Sequence, residues 1–137
     1  METSTLLSSI LHFGAYFGSS LLFLVVFKFG YAFVTPHDEW KLIKEDKNTA
    51  AALGFGGAVL GFAIALSGAA SNSVSLVDFV TWGAIALIAQ LFAFALVRFC
   101  FLPLIVERIK SNEISAGIML GVTSVAVGLL NAACMTY

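Results

Sequence analysis

Residues 50–70 read AAALGFGGAVLGFAIALSGAA. The run carries no charge and is long enough to cross a bilayer, which takes roughly 20 predominantly apolar residues in a helix. Its small residues are ordered: Ala50, Gly54, Ala58, Gly61, Ala65 and Ala69 recur at spacings of three and four, and Gly57 and Gly61 add a GxxxG pair. Such spacings put the small side chains on one helical face. Helices dissolved in lipid gain no ordinary hydrophobic drive from touching one another, and close van der Waals contact over a smooth ridge takes its place. The stretch therefore predicts a transmembrane helix packed closely on another.

A matching ridge lies near the other end of the chain. Residues 114–135 are free of charge and carry Gly117, Gly121, Ser124, Gly128 and Ala132, with a second GxxxG pair at Gly117 and Gly121. Gly54, Gly57, Gly61, Gly117, Gly121 and Gly128 are the candidate helix-packing residues. Two further apolar runs, residues 6–34 and 76–102, are rich in Phe and Leu, and toward its end each meets a cation, Lys28 or Arg98. With 60% hydrophobic and 11% charged residues in 137, and a mean hydropathy of +0.99, the chain lies outside the makeup of soluble domains. Four spans leave no room for a separate soluble domain. The expected fold is an all-α polytopic membrane protein, one membrane domain over residues 1–137, with the lipid bilayer as its solvent.

The charges set a direction. All seven Lys and Arg residues (Lys28, Lys41, Lys44, Lys47, Arg98, Arg108, Lys110) lie in or beside two loops, residues 35–48 and 103–113. By the positive-inside rule those loops are cytoplasmic and both termini are outside. Both halves follow one recipe: a bulky helix ending in a cation, a loop with Pro, then a small-residue helix. That layout suggests two tandem two-helix repeats, residues 5–70 and 75–137, sharing one orientation about a pseudo-two-fold axis along the membrane normal. The ridged helices would then sit in the centre, with the Phe-rich ones outside. A homo-oligomer follows if the ridge continues across a subunit boundary.

Helix starts are marked by short polar residues. Asn48 is placed to cap the second span, and Ser75 with Asp78 three residues on caps the third. Thr35, Pro36 and Asp38 suggest a capped surface helix in the first loop, with Trp40, Leu42 and Ile43 toward the acyl boundary and the lysines toward water. His37, Asp38 and Glu39 are consecutive and point in different directions on a helix, so a solvated face outweighs a metal site. His12, alone in the outer half of the first span, reads as packing or interfacial hydrogen bonding ahead of a proton or metal ligand.

Within the spans, Gln90 and Asn131 are primary amides that must find partners, so they face other helices. Helix glue is their commoner role, and a pore lining is the other. A polar path in an oligomer would draw on Ser67, Asn72, Asp78, Thr81, Gln90 and Asn131. Asp78 already has a cap to serve. Cys100 and Cys134 fall at opposite membrane faces, too far apart for a disulfide. The chain has no HExxH, no GxSxG and no phosphate-cradling glycine loop, so no catalytic residue, cofactor or metal is expected. A net charge of −1 argues against a nucleic-acid partner.

Three strings carry a family resemblance: Thr35-Pro-His-Asp-Glu; Asn72-Ser-Val-Ser-Leu-Val-Asp-Phe with Trp82-Gly83 and Gln90 downstream; and Gly128-Leu-Leu-Asn-Ala-Ala-Cys-Met-Thr-Tyr137. They resemble the YjfL-like bacterial inner-membrane family, a tandem domain of unknown function (DUF350), over nearly the whole chain. The resemblance implies a bacterial inner membrane and an envelope-stress role beside phage-shock-like partners; it brings no catalytic residue or substrate. Two functions are then weighed. As a non-catalytic membrane component the protein recruits a cytoplasmic or membrane protein partner through its loops, whose seven cations against six carboxylates make a mixed surface. As a small ion channel or transporter it needs an oligomer to enclose a path. The first ranks ahead, because no dedicated intramembrane ion pair is visible.

Overall fold

The computed structural model describes residues 3–36 and 39–135. Four transmembrane-length apolar segments form: α1 (Thr3–Val34), α3 (Thr49–Asn72), α4 (Leu76–Leu96) continued by a π-helical turn over Val97–Phe101, and α6 (Ile114–Cys134). Two short helices, α2 (Glu39–Lys44) and α5 (Ile105–Lys110), sit in the loops. Among the described residues there is no strand, and the fold is all-α and polytopic.

Local chemistry starts two of the long helices. Asn48 is extended and its side chain accepts a hydrogen bond from the Ala51 N–H at 2.8 Å. Ser75 Oγ accepts from the Asp78 N–H at 3.1 Å while Asp78 Oδ2 accepts from the Val74 N–H at 3.0 Å, meeting two of the unpaired donors at a helix start. The cap expected at Thr35 would serve His37 and Asp38, which lie outside the described residues. Its hydroxyl donates to the Tyr31 carbonyl at 2.9 Å, and the same carbonyl accepts from the Thr35 N–H at 3.0 Å at the end of α1. The described part of the short helix α2 covers Glu39–Lys44.

The molecule is built on α3 against α6. Ala50 meets Gly117, Gly57 meets Gly121, Gly61 meets Gly128 and Gly68 meets Ala132, so the two helices run parallel. A Cβ added at Gly57 would stand 2.6 Å from the Gly121 carbonyl oxygen and closer still to its Cα. Gly56, one residue earlier, faces open space. Helix α4 lies across the pair and buries Phe79, Gly83, Ala86, Gln90, Ala93 and Phe94. Helix α1 packs on α3 and α4 through aromatic contacts such as Phe27 on Phe62, with ring centroids 4.8 Å apart. Of its own residues only Phe27 and Tyr31 are fully buried, leaving most of the surface of α1 uncovered by the rest of the chain. The two Phe-rich helices therefore hold inequivalent places, α4 against both ridged helices and α1 at the edge.

The third span differs from a plain α-helix in its last turn, where the Leu102 N–H reaches back five residues to the Val97 carbonyl at 2.7 Å. Pro103 disfavours α geometry in the residue before it and supplies no donor, and Leu102 leaves the helical region, with φ −133° and ψ 86°. The final turn widens to keep its bonding.

Candidate functional site

Two loops meet at one end of the parallel pair. Asn48 accepts at its own cap through Oδ1 and donates through Nδ2 to the Ile109 carbonyl at 2.8 Å, joining the first loop to the second. The contact is returned: Asn112 Oδ1 accepts from the Ala50 N–H at 3.0 Å, so the second loop helps start α3. Lys47 and Asn112 both take left-handed backbone, with φ 53° and 60°, and reverse the chain after the short helices. Arg108 holds Glu113 in a two-pronged ion pair, with Nε to Oε2 at 2.8 Å. That hydrogen bond, helped by the guanidinium charge, keeps the Glu113 carboxyl below its ordinary range. Lys41, Lys44, Glu45, Asp46, Lys47 and Lys110 are exposed around this braced surface.

Beside the same end, α1, α2 and α3 enclose a cavity of about 220 Å³ lined by Lys28, Phe29, Tyr31, Ala32, Glu39, Trp40 and Phe55. Glu39 was expected on a solvated face. It is 4% exposed, because α2 folds back against the start of α3 and turns this side chain inward. Lys28 lies along its stem toward the loop end, and its Nζ sits 4.3 Å from the Trp40 ring centre, a cation–π contact. Tyr31 is 2% exposed, and among the described residues nothing hydrogen-bonds its hydroxyl. A second, apolar groove of about 320 Å³ runs between α1 and α4, with Val34, Leu91 and Phe92 on its walls and Arg98 as its charged group.

The polar residues of the spans do not converge. Gln90, 2% exposed, donates from Nε2 to the Ser124 carbonyl at 2.7 Å, beside the space left by Gly61. Asn131 donates to the Ala86 carbonyl at 3.1 Å. Both amides thus tie α4 to α6. Asn72 bonds back to the Gly68 carbonyl and Asp78 serves its helix start. Ser67 and Thr81 are exposed on the outer surface, Thr81 bonding within its own helix. His12 is exposed on α1, and Cys100 and Cys134 are free and exposed. Among the described residues no three His, Cys, Asp or Glu side chains gather as metal ligands.

Sequence reasoning passed over Tyr31 and Asn112, and placed Ser124 on the ridge without its bond to Gln90. Tyr31 was open to detection, since it stands three residues after Lys28 and so shares its helix face. Ser124 acts through its carbonyl, which no side-chain pattern reveals.

The model of a family described as a domain of unknown function, DUF350, matches residues 5–135. The chain belongs to the DUF350 family. This DUF350 chain is 46% identical over 132 residues, 96% of its length and 98% of the relative's, to the UPF0719 inner membrane protein YjfL of Escherichia coli strain K12. The same figures hold for the protein of that name from Escherichia coli O157:H7. No solved structure matches it significantly. DUF350 membership carries no assigned site, so the roles of the residues above rest on their geometry.

Proposed function

We propose that the protein is a non-catalytic component of a bacterial inner membrane that recruits a protein partner through loops 35–48 and 103–113, both facing the cytoplasm. One observation carries this reading: the loops are bonded to each other, through Asn48 to Ile109 and Asn112 to Ala50, and form one braced surface. Exposed charges of both signs surround it, which suits a protein with complementary charges better than a strongly anionic lipid patch. The similarity to inner membrane protein YjfL supports the location, and the resemblance to its family supports an envelope-stress setting. Two tandem repeats would explain why both braced loops emerge on one side.

Charge reversal provides the test. Lys41, Lys44 and Lys110 are the residues to change together to Glu; Arg108 is unsuitable because its removal would release Glu113. Affinity capture from membranes should lose a partner specific to the wild-type protein, while the triple variant keeps its thermal unfolding temperature in detergent. An oligomeric ion channel is the rival reading. Proteoliposome flux of protons or common ions that Gln90→Leu abolishes without loss of assembly would establish the rival and overturn this one.

A further inference from the structure

From the cavity among α1, α2 and α3 we infer a binding site for the zwitterionic headgroup of an ethanolamine phospholipid. Four features of the cavity point there. It lies where α1 ends and the loop begins, at the depth of lipid headgroups in a spanning helix. Phe29, 63% exposed, and Trp40, 43% exposed, stand at its rim toward the bilayer. Its volume, about 220 Å³, falls below the roughly 300–1,000 Å³ of sites for drug-sized ligands and suits a small polar group. Its wall carries one cation, one recessed carboxylate and one buried phenol whose hydroxyl nothing among the described residues engages.

The charges match a zwitterion. Lys28 and the Tyr31 hydroxyl are donors for phosphate oxygens, and the Glu39 carboxylate accepts from an ammonium group. A carboxylate has about four acceptor positions, so it can take a ligand N–H beside any neighbour it already has. Trp40, Phe55 and Tyr31 form the aromatic part of the wall, with Tyr31 and Phe55 centroids 5.5 Å apart and Trp40 and Phe55 6.2 Å apart. Aromatic faces favour a cation between them. Choline brings three methyl groups and no N–H to Glu39, and phosphatidylglycerol brings a net negative charge with no ammonium. The recessed carboxylate therefore selects ethanolamine over both.

Nanodiscs made from equal parts phosphatidylethanolamine, phosphatidylcholine and phosphatidylglycerol with the same acyl chains supply the test. After extraction in mild detergent, native mass spectrometry counts the lipids retained per protein. The ethanolamine lipid should be enriched about tenfold, the worth of a single charge-assisted hydrogen bond. Glu39→Gln should bring the ratio toward one, whereas Tyr31→Phe, which removes a donor to the phosphate that all three lipids share, should lower the total lipid retained. Tyr31→Phe keeps the ring and its packing, so it remains informative if Glu39→Gln fails to fold. Equal retention of the three lipids by the wild-type protein, an ethanolamine preference that survives Glu39→Gln, or total lipid retention unchanged by Tyr31→Phe, would overturn the assignment. Soluble phosphoethanolamine at equal concentration should leave the lipid in place; if it empties the site, the occupant is a solute and not a membrane lipid.

Discussion

Changing Gly57 to Ala isolates the energetics of the α3–α6 contact. The new methyl would stand 2.6 Å from the Gly121 carbonyl oxygen and nearer its Cα, whereas ordinary contact begins at 3.4 Å. The obstacle is backbone, which no rotamer change can move aside. The two helices must separate by about 1 Å along a seam that continues through Gly61 and Gly128. Overpacking of this kind costs about 1–3 kcal/mol. Ala also gains about 1 kcal/mol over Gly in helix propensity, which masks part of that cost in a single variant. Gly56→Ala supplies the reference: it has the same propensity gain and nothing within 4 Å of the added methyl. The difference between the two variants cancels the propensity gain and reads the seam alone. Equilibrium unfolding in mixed micelles should place Gly57→Ala about 1–3 kcal/mol below Gly56→Ala, with the upper end corresponding to more than a hundredfold in the folding constant. If Gly57→Ala equals or exceeds Gly56→Ala in stability, the close parallel contact is wrong.

The loop brace, the buried amide and the ion pair yield further tests. Asn48→Ala removes a cap and the bond to Ile109, and should lower stability by about 1–2 kcal/mol in the same unfolding assay; Asn48→Asp keeps the cap acceptor and should recover part of the loss. Gln90→Leu breaks the link to Ser124 and should cost less than about 2 kcal/mol, since interhelical side-chain bonds in membranes are weak; a much larger loss would mean that Gln90 organises more than this one contact. Glu113 has a folded pKa held below its unfolded value, so its contribution to stability is present above the unfolded pKa and fades as pH falls through the folded one. Carboxyl NMR titration should find Glu113 protonating at lower pH than an isolated glutamate, and Arg108→Gln should move it up toward the ordinary range. An unchanged midpoint in Arg108→Gln would remove the ion pair as the cause.

Local patterns carried much of the fold. Four apolar runs, the Asn48 cap and the Ser75–Asp78 start act through neighbouring residues or through the cost of exposing backbone to lipid, and both are written in short windows. The π-helical turn had a local cause in Pro103, yet its form depended on how the freed groups rebonded. Thr35 shows how a local pattern is incomplete: its hydroxyl donates to the helix behind it, a bond that the cap pattern ahead of it does not contain. The candidate sites were less legible. Charge and periodicity put Glu39 in water, and only the return of α2 onto α3 buried it beside Tyr31 and Lys28.

By itself the sequence determined an all-α membrane protein, because twenty-residue apolar stretches have few other stable states in lipid. Its small-residue spacing marked the ridges on α3 and α6. The tertiary structure decided which residues on those ridges meet, that α1 sits at the edge while α4 crosses both ridged helices, and that Asn48 and Asn112 lock two distant loops together. Those choices depend on contacts between residues about sixty positions apart, where the energy comes from shape and backbone bonding that no sequence window contains.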